Sequence, residues 1–454
     1  MKEYNIKEYN FTILKMPNIV KYGVSDRYYS ISSTDNNDSI FYCNNAEQFP
    51  NLIDILHLYV KKNHDLHVLS KANLDQIKYV NVIISSDVDS SYLSPLAILF
   101  LHRNKFKLVK ECKTDEGYDE LVFRNTNITK IAFHIYFFCI RGTSTAIYDY
   151  ANYSEKLLGN ESIIVAPKSS ITENKNVEIA LDKFKKRFTI FYYDDMQNLD
   201  EILEKEQCDL LYIIKYGTND GVYSRKTKTC VHCVFDMSDK HGDVYAGVSE
   251  QIMNKFNRKL FVPHMVMEPS SSVENLRGVL GIPDDGIVFG YHGGVDSFNI
   301  QFAVSAVKKA CRVIPNAYFI FVNIPRFDTN PNIFFLNKFV ASEDKNKFIN
   351  TCDCCLEAQQ LGQSFGLSLA DFSVNNKPII TFGGIVLNDN YKKILGDKAL
   401  YYTNEGELLE ILETFDKNKY IGKDLNCYKE YTPVKVMEQF KKVFIDDRLV
   451  RNCH

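Results

Sequence analysis

Gly362-Gln363-Ser364-Phe365-Gly366-Leu367-Ser368-Leu369-Ala370-Asp371, followed by Lys377-Pro378-Ile379-Ile380-Thr381, reads as a polar loop running into an apolar helix and then into a short strand. Backbone N–H groups at such a helix start point at an anion, and the helix dipole favours one. Asp371 follows Gln363 by eight residues, two turns on, so it faces the same crevice as the helix start. The alternative for Asp371 is a solvated acid on the outer face of its helix.

Working outward, strand-like runs recur from Ile131 onward: Ile131–Phe138, Ser162–Val165, Phe188–Tyr192, Leu210–Ile214, Thr229–Phe235, Val244–Val248 and Leu260–Val266. Helical patterns lie between many of them, at Ser144–Leu158, Val177–Lys186 and Leu199–Glu206. A second series starts near Val273, with strands Ile287–Gly290, Tyr318–Val322, Asp353–Leu356 and Pro378–Thr381 separated by helices Asn299–Val313 and Glu343–Thr351 and the helix after Gly366. Strand–helix alternation predicts parallel sheets covered on both faces, an α/β class. Thr432-Pro433 opens a last helix, with Thr432 as cap and Pro433 at the first helical position. Its apolar stripe is Val436, Met437, Phe440, Val443 and Phe444. The first 127 residues lack this alternation; strands at Tyr79–Ser85 and Glu120–Arg124 and a helix at Leu93–Asn104 read as a small α+β module. The expected organisation is an N-terminal accessory module over 1–127 and two Rossmann-like domains over 128–270 and 271–454.

Gln363 and Asp371, with Phe365-Gly366 between them, resemble the donor-sugar motif of family 4 retaining glycosyltransferases, in which two Glu residues stand at these positions. Further landmarks follow in the order of that family. Val231-His232-Cys233-Val234 resembles the histidine that lies near the donor sugar, and His241-Gly242-Asp243 through Ser249 resembles the strand that follows it. Phe261-Val262-Pro263-His264 resembles the start of the interdomain hinge, and Leu276 to Pro283 the start of the second half. The resemblance implies two Rossmann-like domains in GT-B arrangement, the acceptor on the first and the nucleotide-sugar on the second.

On that resemblance His232 and Gln363 are the candidate catalytic residues. The donor is expected to touch Arg141, Gly142, Tyr291, His292, Gly293, Gly294, Ser364, Phe365, Gly366, Leu367 and Asp371. Arg141-Gly142-Thr143-Ser144 ends the first strand of the first half and opens a helix; Gly permits close approach and Arg adds charge, or the stretch is a plain capped turn. Tyr291-His292-Gly293-Gly294 follows the first strand of the second half, where paired glycines let a diphosphate lie against backbone N–H groups. The family places Arg and Lys near Tyr291 and Phe298, so a base from elsewhere is needed or the site is weak. Gln363 offers donors and an acceptor but no negative charge, and Asp371 remains a two-oxygen acceptor for ribose hydroxyls. A lone His in an apolar strand, as His232 is, is otherwise a satisfied core residue. Lys215-Tyr216-Gly217-Thr218-Asn219-Asp220-Gly221 lines the acceptor side or is a solvated loop.

Composition sets bounds. Hydrophobic residues make up 45% and charged residues 24% of the 454, ordinary for a globular protein, and a net charge of −3 gives no drive toward nucleic acid. The apolar runs at Tyr92–Leu101 and Ile131–Ile140 are too short to span a bilayer, and Met1–Asn10 has no signal-peptide core, so a cytoplasmic location is expected. The 12 Cys read as reduced core thiols rather than a disulfide framework. Cys230/Cys233 and Cys352/Cys355 have zinc-like spacing but lie on apolar strands, where alternate side chains diverge. Asp87-Val88-Asp89 resembles a metal-binding pair in a module too short for that fold, so no metal and no cofactor is expected beyond a UDP- or GDP-linked sugar as donor substrate. The expected function is transfer of a sugar from a nucleotide-sugar to a glycan or other acceptor, with retention. The alternatives are a degenerate relative that binds a glycan or partner without catalysis, and a sugar-nucleotide 2-epimerase.

Overall fold

Leu210-Leu211-Tyr212-Ile213-Ile214-Lys215 is buried along its whole length, as a strand covered on both faces must be. It lies at the centre of one of three sheets in the computed structural model, which describes residues 3–6, 9–15, 28–32, 39–43, 53–60, 77–84, 101, 105–113, 119–139, 142–171, 175–339, 342–384 and 388–446. The chain divides into two compact units, Met1–Thr129 with Gly159–Glu161, and Lys130–Leu158 with Ser162–His454.

The first unit carries strands β1 (Glu3–Ile6), β2 (Tyr9–Lys15), β3 (Tyr28–Ser32), β4 (Ser39–Cys43), β5 (Ile53–Val60), β6 (Ile77–Ile84), β7 (Phe106–Lys113) and β8 (Asp119–Asn125), in the order β1-β2-β3-β4-β5-β6-β8-β7. Neighbours run antiparallel except β5 and β6. The sequence reading found only two of these strands. The expected helix Leu93–Asn104 falls almost wholly outside the described residues, as do Asp87 and Asp89.

The second unit holds two α/β halves. The first half has β9 (Lys130–His134), β10 (Glu161–Pro167), β11 (Ile190–Tyr193), β12 (Leu210–Lys215), β13 (Lys228–Cys233) and β14 (Val244–Gly247), ordered β11-β10-β9-β12-β13-β14. Helices α1 (Gly142–Leu158), α2 (Lys175–Lys185), α3 (Met196–Lys205) and α4 (Glu250–Lys255) connect or follow them. Asp195 and Ser249 cap the last two, accepting from Asn198 N and Ile252 N. The second half repeats the plan. Helix α5 (Arg277–Leu280) precedes β15 (Ile287–His292), α6 (Gln301–Val313), β16 (Ala317–Val322), β17 (Ile333–Leu336), α7 (Ser342–Thr351), β18 (Cys354–Leu356), α8 (Leu367–Val374), β19 (Ile379–Phe382), α9 (Asn390–Leu395), β20 (Leu400–Tyr402) and α10 (Glu405–Thr414). Its order is β17-β16-β15-β18-β19-β20, with parallel neighbours throughout. In each sheet the order reverses between the first strand and the fourth, and ligands of such sheets bind outside the carboxyl ends at that point.

Three expectations need correction. Leu260–Val266 forms no strand beyond a single bridge at Phe261, because Pro263 has no N–H to donate. Thr432 precedes α11 (Pro433–Phe440), but its side chain makes no capping bond. Most consequential, the stripe Val436, Met437, Phe440, Val443 and Phe444 packs into the core of the first half, against Phe133, Tyr150 and Tyr212, and not into the second half that precedes it in sequence. The chain therefore crosses between the halves twice, and the two crossings touch: Val266 N donates to Tyr431 O at 2.8 Å.

Candidate functional site

The two strands flanking the reversal point of the second half are β15 and β18, and the predicted residues Tyr291 to Gly294 and Gln363 to Leu367 follow them in the chain. After β15 comes the turn Tyr291-His292-Gly293-Gly294. A Cβ on Gly293 would lie 2.2 Å from Ser297 Oγ, so a larger residue there would displace Ser297. Asn323 Nδ2 donates to Gly293 O at 2.7 Å, and Ser297 Oγ to Gly294 O at 2.7 Å. The two carbonyls, which would repel a phosphate, are thus held by protein donors. Tyr291 is buried beneath this turn, with its hydroxyl beside Gly293 and Ser297. It is 1% exposed, its ring packs on Phe298, and burial pushes its phenol well above the ordinary range. Tyr291 and Phe298 are buried and uncharged, so neither supplies the positive charge of an Arg or Lys.

After β18 the chain runs through Glu357 to Gln363. Glu357 is 1% exposed, and burial raises its pKa. Its oxygens accept from Gln359 N at 2.8 Å and Thr381 Oγ1 at 2.6 Å. Gln363 is half-buried, its Nε2 facing Glu357 Oε1 at 3.5 Å and its Oε1 facing Ser368 Oγ at 3.4 Å. Ser364 and Phe365 are buried. Phe365 is met edge-on by His264 and Tyr431, so its ring is a packing element, while its carbonyl accepts from Tyr428 Oη at 3.0 Å. Gly366 starts α8 with φ +83°, a conformation costly for any residue with a Cβ. Leu367 is at the exposed start of α8.

Asp371 joins these two loops. Its Oδ2 lies 3.2 Å from His292 Nε2 and its Oδ1 2.7 Å from Lys345 Nζ on α7. Burial acts to raise its pKa, but the Lys345 charge and His292 outweigh that and hold it at about 2. Asp371 therefore points inward and is not a solvated outer-face acid. Asp149, on α1 of the first half, lies in the field of the same Lys345 and Asp371, and burial brings its pKa up to about 6. Sequence reasoning missed Lys345, Glu357 and Asp149, since no spacing singles out one charged residue on an ordinary helix or one acid after an apolar strand.

His232 is corrected. It is 0% exposed, Nε2 donates to Val262 O at 2.8 Å, and Nδ1 therefore accepts from Tyr212 Oη at 2.6 Å. Both nitrogens are used within the core, and burial followed by the nearby His264 lowers its pKa to about 3. It has no nitrogen left for a substrate. Gly142 is the exposed first residue of α1, with φ +55° and open space around its Cβ position; Arg141 lies outside the described residues. Among the described residues no three His, Cys, Asp or Glu side chains group to hold a metal ion, and Cys233, Cys352 and Cys355 are free buried thiols. No helix among the described residues is long and apolar enough to cross a membrane.

No family model matches this chain, and no curated protein matches it by sequence. Solved structures do. HepE of Anabaena in complex with UDP-glucose superposes with a TM-score of 0.53 at 11% identity, over 69% of this chain and 98% of that one. The fold is GT-B. A glycosyltransferase from Rickettsia africae superposes with a TM-score of 0.50 at 12% identity, over 72% of this chain and 97% of that one. In GT-B terms, the Gly293 turn and the α8 start belong to the second Rossmann-like half, and His232 to the core of the first.

Proposed function

We propose that the chain binds a nucleotide-sugar at the carboxyl ends of β15 and β18 and transfers the sugar, with retention, to a glycan acceptor on the first half, as the family 4 enzymes it resembles do. The observation that carries this is the convergence on Asp371 of the glycine turn, through His292, and of a base absent from the sequence reading, Lys345. The Gly293-Gly294 backbone cradles the diphosphate, and the Lys345 ammonium neutralises it. Lys345 thus fills the place left by Tyr291 and Phe298. A phosphate that draws Lys345 off Asp371 frees Oδ1 to accept from ribose hydroxyls. Gln363, its amide steered by Glu357 and Ser368, and the Phe365–Leu367 backbone hold the donor sugar.

UDP is the favoured nucleotide, since a structure of the same fold holds UDP-glucose. Positive charge fixed in the protein takes the part a metal would play, so turnover is metal-independent. The test is a thermal-shift screen of UDP- and GDP-sugars followed by a hydrolysis assay in EDTA. Stabilisation by UDP, lost in Lys345→Ala, supports the assignment; a screen with no stabilising nucleotide removes it. Gln363, an amide where the family has an acid, favours one second reading, a binder without catalysis. Nucleotide binding with no hydrolysis or transfer would select that reading.

A further inference from the structure

The reversal point of the first half, between β9 and β12, carries a feature that the donor site does not use. Three aromatic rings stand exposed on the loops at the carboxyl ends of three adjacent strands: Phe137 after β9 at 71%, Tyr216 after β12 at 59% and Phe235 after β13 at 41%. The strands are parallel neighbours, so these loops share one edge of the sheet. Aromatic rings left in water at a ligand-binding edge, where they cost solvation, mark a contact surface.

The loops are built to hold the rings still. Gly217 has φ +134°, and a Cβ there would lie 1.8 Å from Asp236 O, so the loops after β12 and β13 touch backbone to backbone. Phe235 N donates to Tyr216 O at 3.0 Å, and Tyr245 Oη to Gly217 O at 2.6 Å. The Tyr216 and Phe235 ring centroids are 5.4 Å apart. The loop after β9 is tied in by Tyr136, whose hydroxyl donates to Asp220 Oδ2 at 2.5 Å, while buried Lys215 holds Asp220 Oδ1 at 2.5 Å. The platform is thus set before any ligand arrives, which lowers the ordering cost of binding.

We propose that Tyr216 and Phe235, on the sheet edge they share with the Phe137 loop, form a stacking platform for a saccharide, the seat of the acceptor sugar; this rests on the donor reading above. A sugar ring has an apolar face of C–H groups and a rim of hydroxyls. The aromatic rings take the face, and the exposed side chains of Asn219, Asp220 and Asp239 offer acceptors to the rim. Continuity with the donor site supports this occupant. Helix α1 leads away from the Phe137 loop, and its Asp149 lies in the field of Lys345 and Asp371.

The test uses maltose, cellobiose, chitobiose and lactose as probes, read by saturation-transfer NMR on the full chain. At least one should receive saturation from the wild type. That transfer should fall in Tyr216→Ala and Phe235→Ala, with affinity about tenfold weaker, and persist in Tyr216→Trp and Phe235→Trp. The replaced rings are exposed, so folding is checked simply by the melting curve. No transfer to any of the four sugars, or equal transfer in both alanine variants, overturns the platform. The UDP melting shift is read on the same samples. A UDP shift without saccharide binding overturns the platform alone; saccharide binding that disappears on ring removal, without a UDP shift, keeps the platform and removes the donor reading.

Discussion

His292 Nε2 stands 3.2 Å from Asp371 Oδ2, so the turn after β15 and the helix after Gly366 close on a single carboxylate. With Lys345 on the other oxygen, that carboxylate is held at a pKa of about 2, below its value of about 3.9 in an unfolded chain. A depressed pKa contributes stability above the unfolded value and loses it as pH falls through the folded one. Asp371→Asn should therefore cost about 1–3 kcal/mol at neutral pH, and its difference from wild type should close between about pH 4 and pH 2. Urea denaturation across that range checks it; a difference independent of pH would mean the ion pairs contribute nothing.

A second pH effect runs through the core. His134, His232 and His264 are buried, and burial lowers their pKa values to about 3, about 3 and about 4. Below about pH 6.5 the unfolded chain binds protons there that the folded chain refuses. Asp149, raised to about 6, and Glu357, also raised, act in the opposite direction. The histidines outnumber them, so unfolding between about pH 6.5 and pH 4 should take up protons and stability should fall with pH. Replacing His232 with Ala should weaken this slope while costing about 2–4 kcal/mol for the lost packing and bonds. An unchanged slope would place a charged histidine in the folded core.

Gln363 is the amide where the resembled family has an acid, yet restoring the acid should harm this chain. Gln363→Glu puts a second carboxylate about where Nε2 now faces Glu357 Oε1 at 3.5 Å. Two carboxylates at that range share one proton rather than both ionise. The variant should melt lower than wild type at pH 8, by about 1–3 kcal/mol, and recover at pH 5. Equal melting at both pH values would show that Glu357 is already protonated in the wild type.

Residues 130–454 should fold without the preceding unit. The three apolar clusters of the two α/β halves begin at Ile131 and take no residue before it. A chain starting at Lys130 should show a cooperative melt and keep the UDP shift. Aggregation without a transition would show that the first unit completes the core.

The α/β halves were legible in the sequence because strands such as Leu210–Lys215 are buried on both faces and because Gly366, with φ +83°, marks a turn that favours glycine. The short strands β17 and β20 were not, since Ile333–Leu336 and Leu400–Tyr402 are half-exposed sheet margins with too few residues to carry a period. At the site, the loops were found but several side chains were misassigned. His232 carries the right spacing yet points into the core, and a strand's alternation does not say which of two covered faces a residue joins. Lys345 came from a helix remote in sequence, brought in only by packing.

The double crossing at Val266 and Tyr431 has a consequence for how the chain survives damage. The segment Pro269–Val273 is exposed, with Val273 at 86%, and is open to a protease. A single cut there severs one crossing and leaves the other. The C-terminal fragment would still hold Phe440 and Phe444 embedded in its partner fragment, as a bolt stays in its socket. Two bands on a denaturing gel would then come from one particle on a native one, and separately made fragments would reassemble by way of α11.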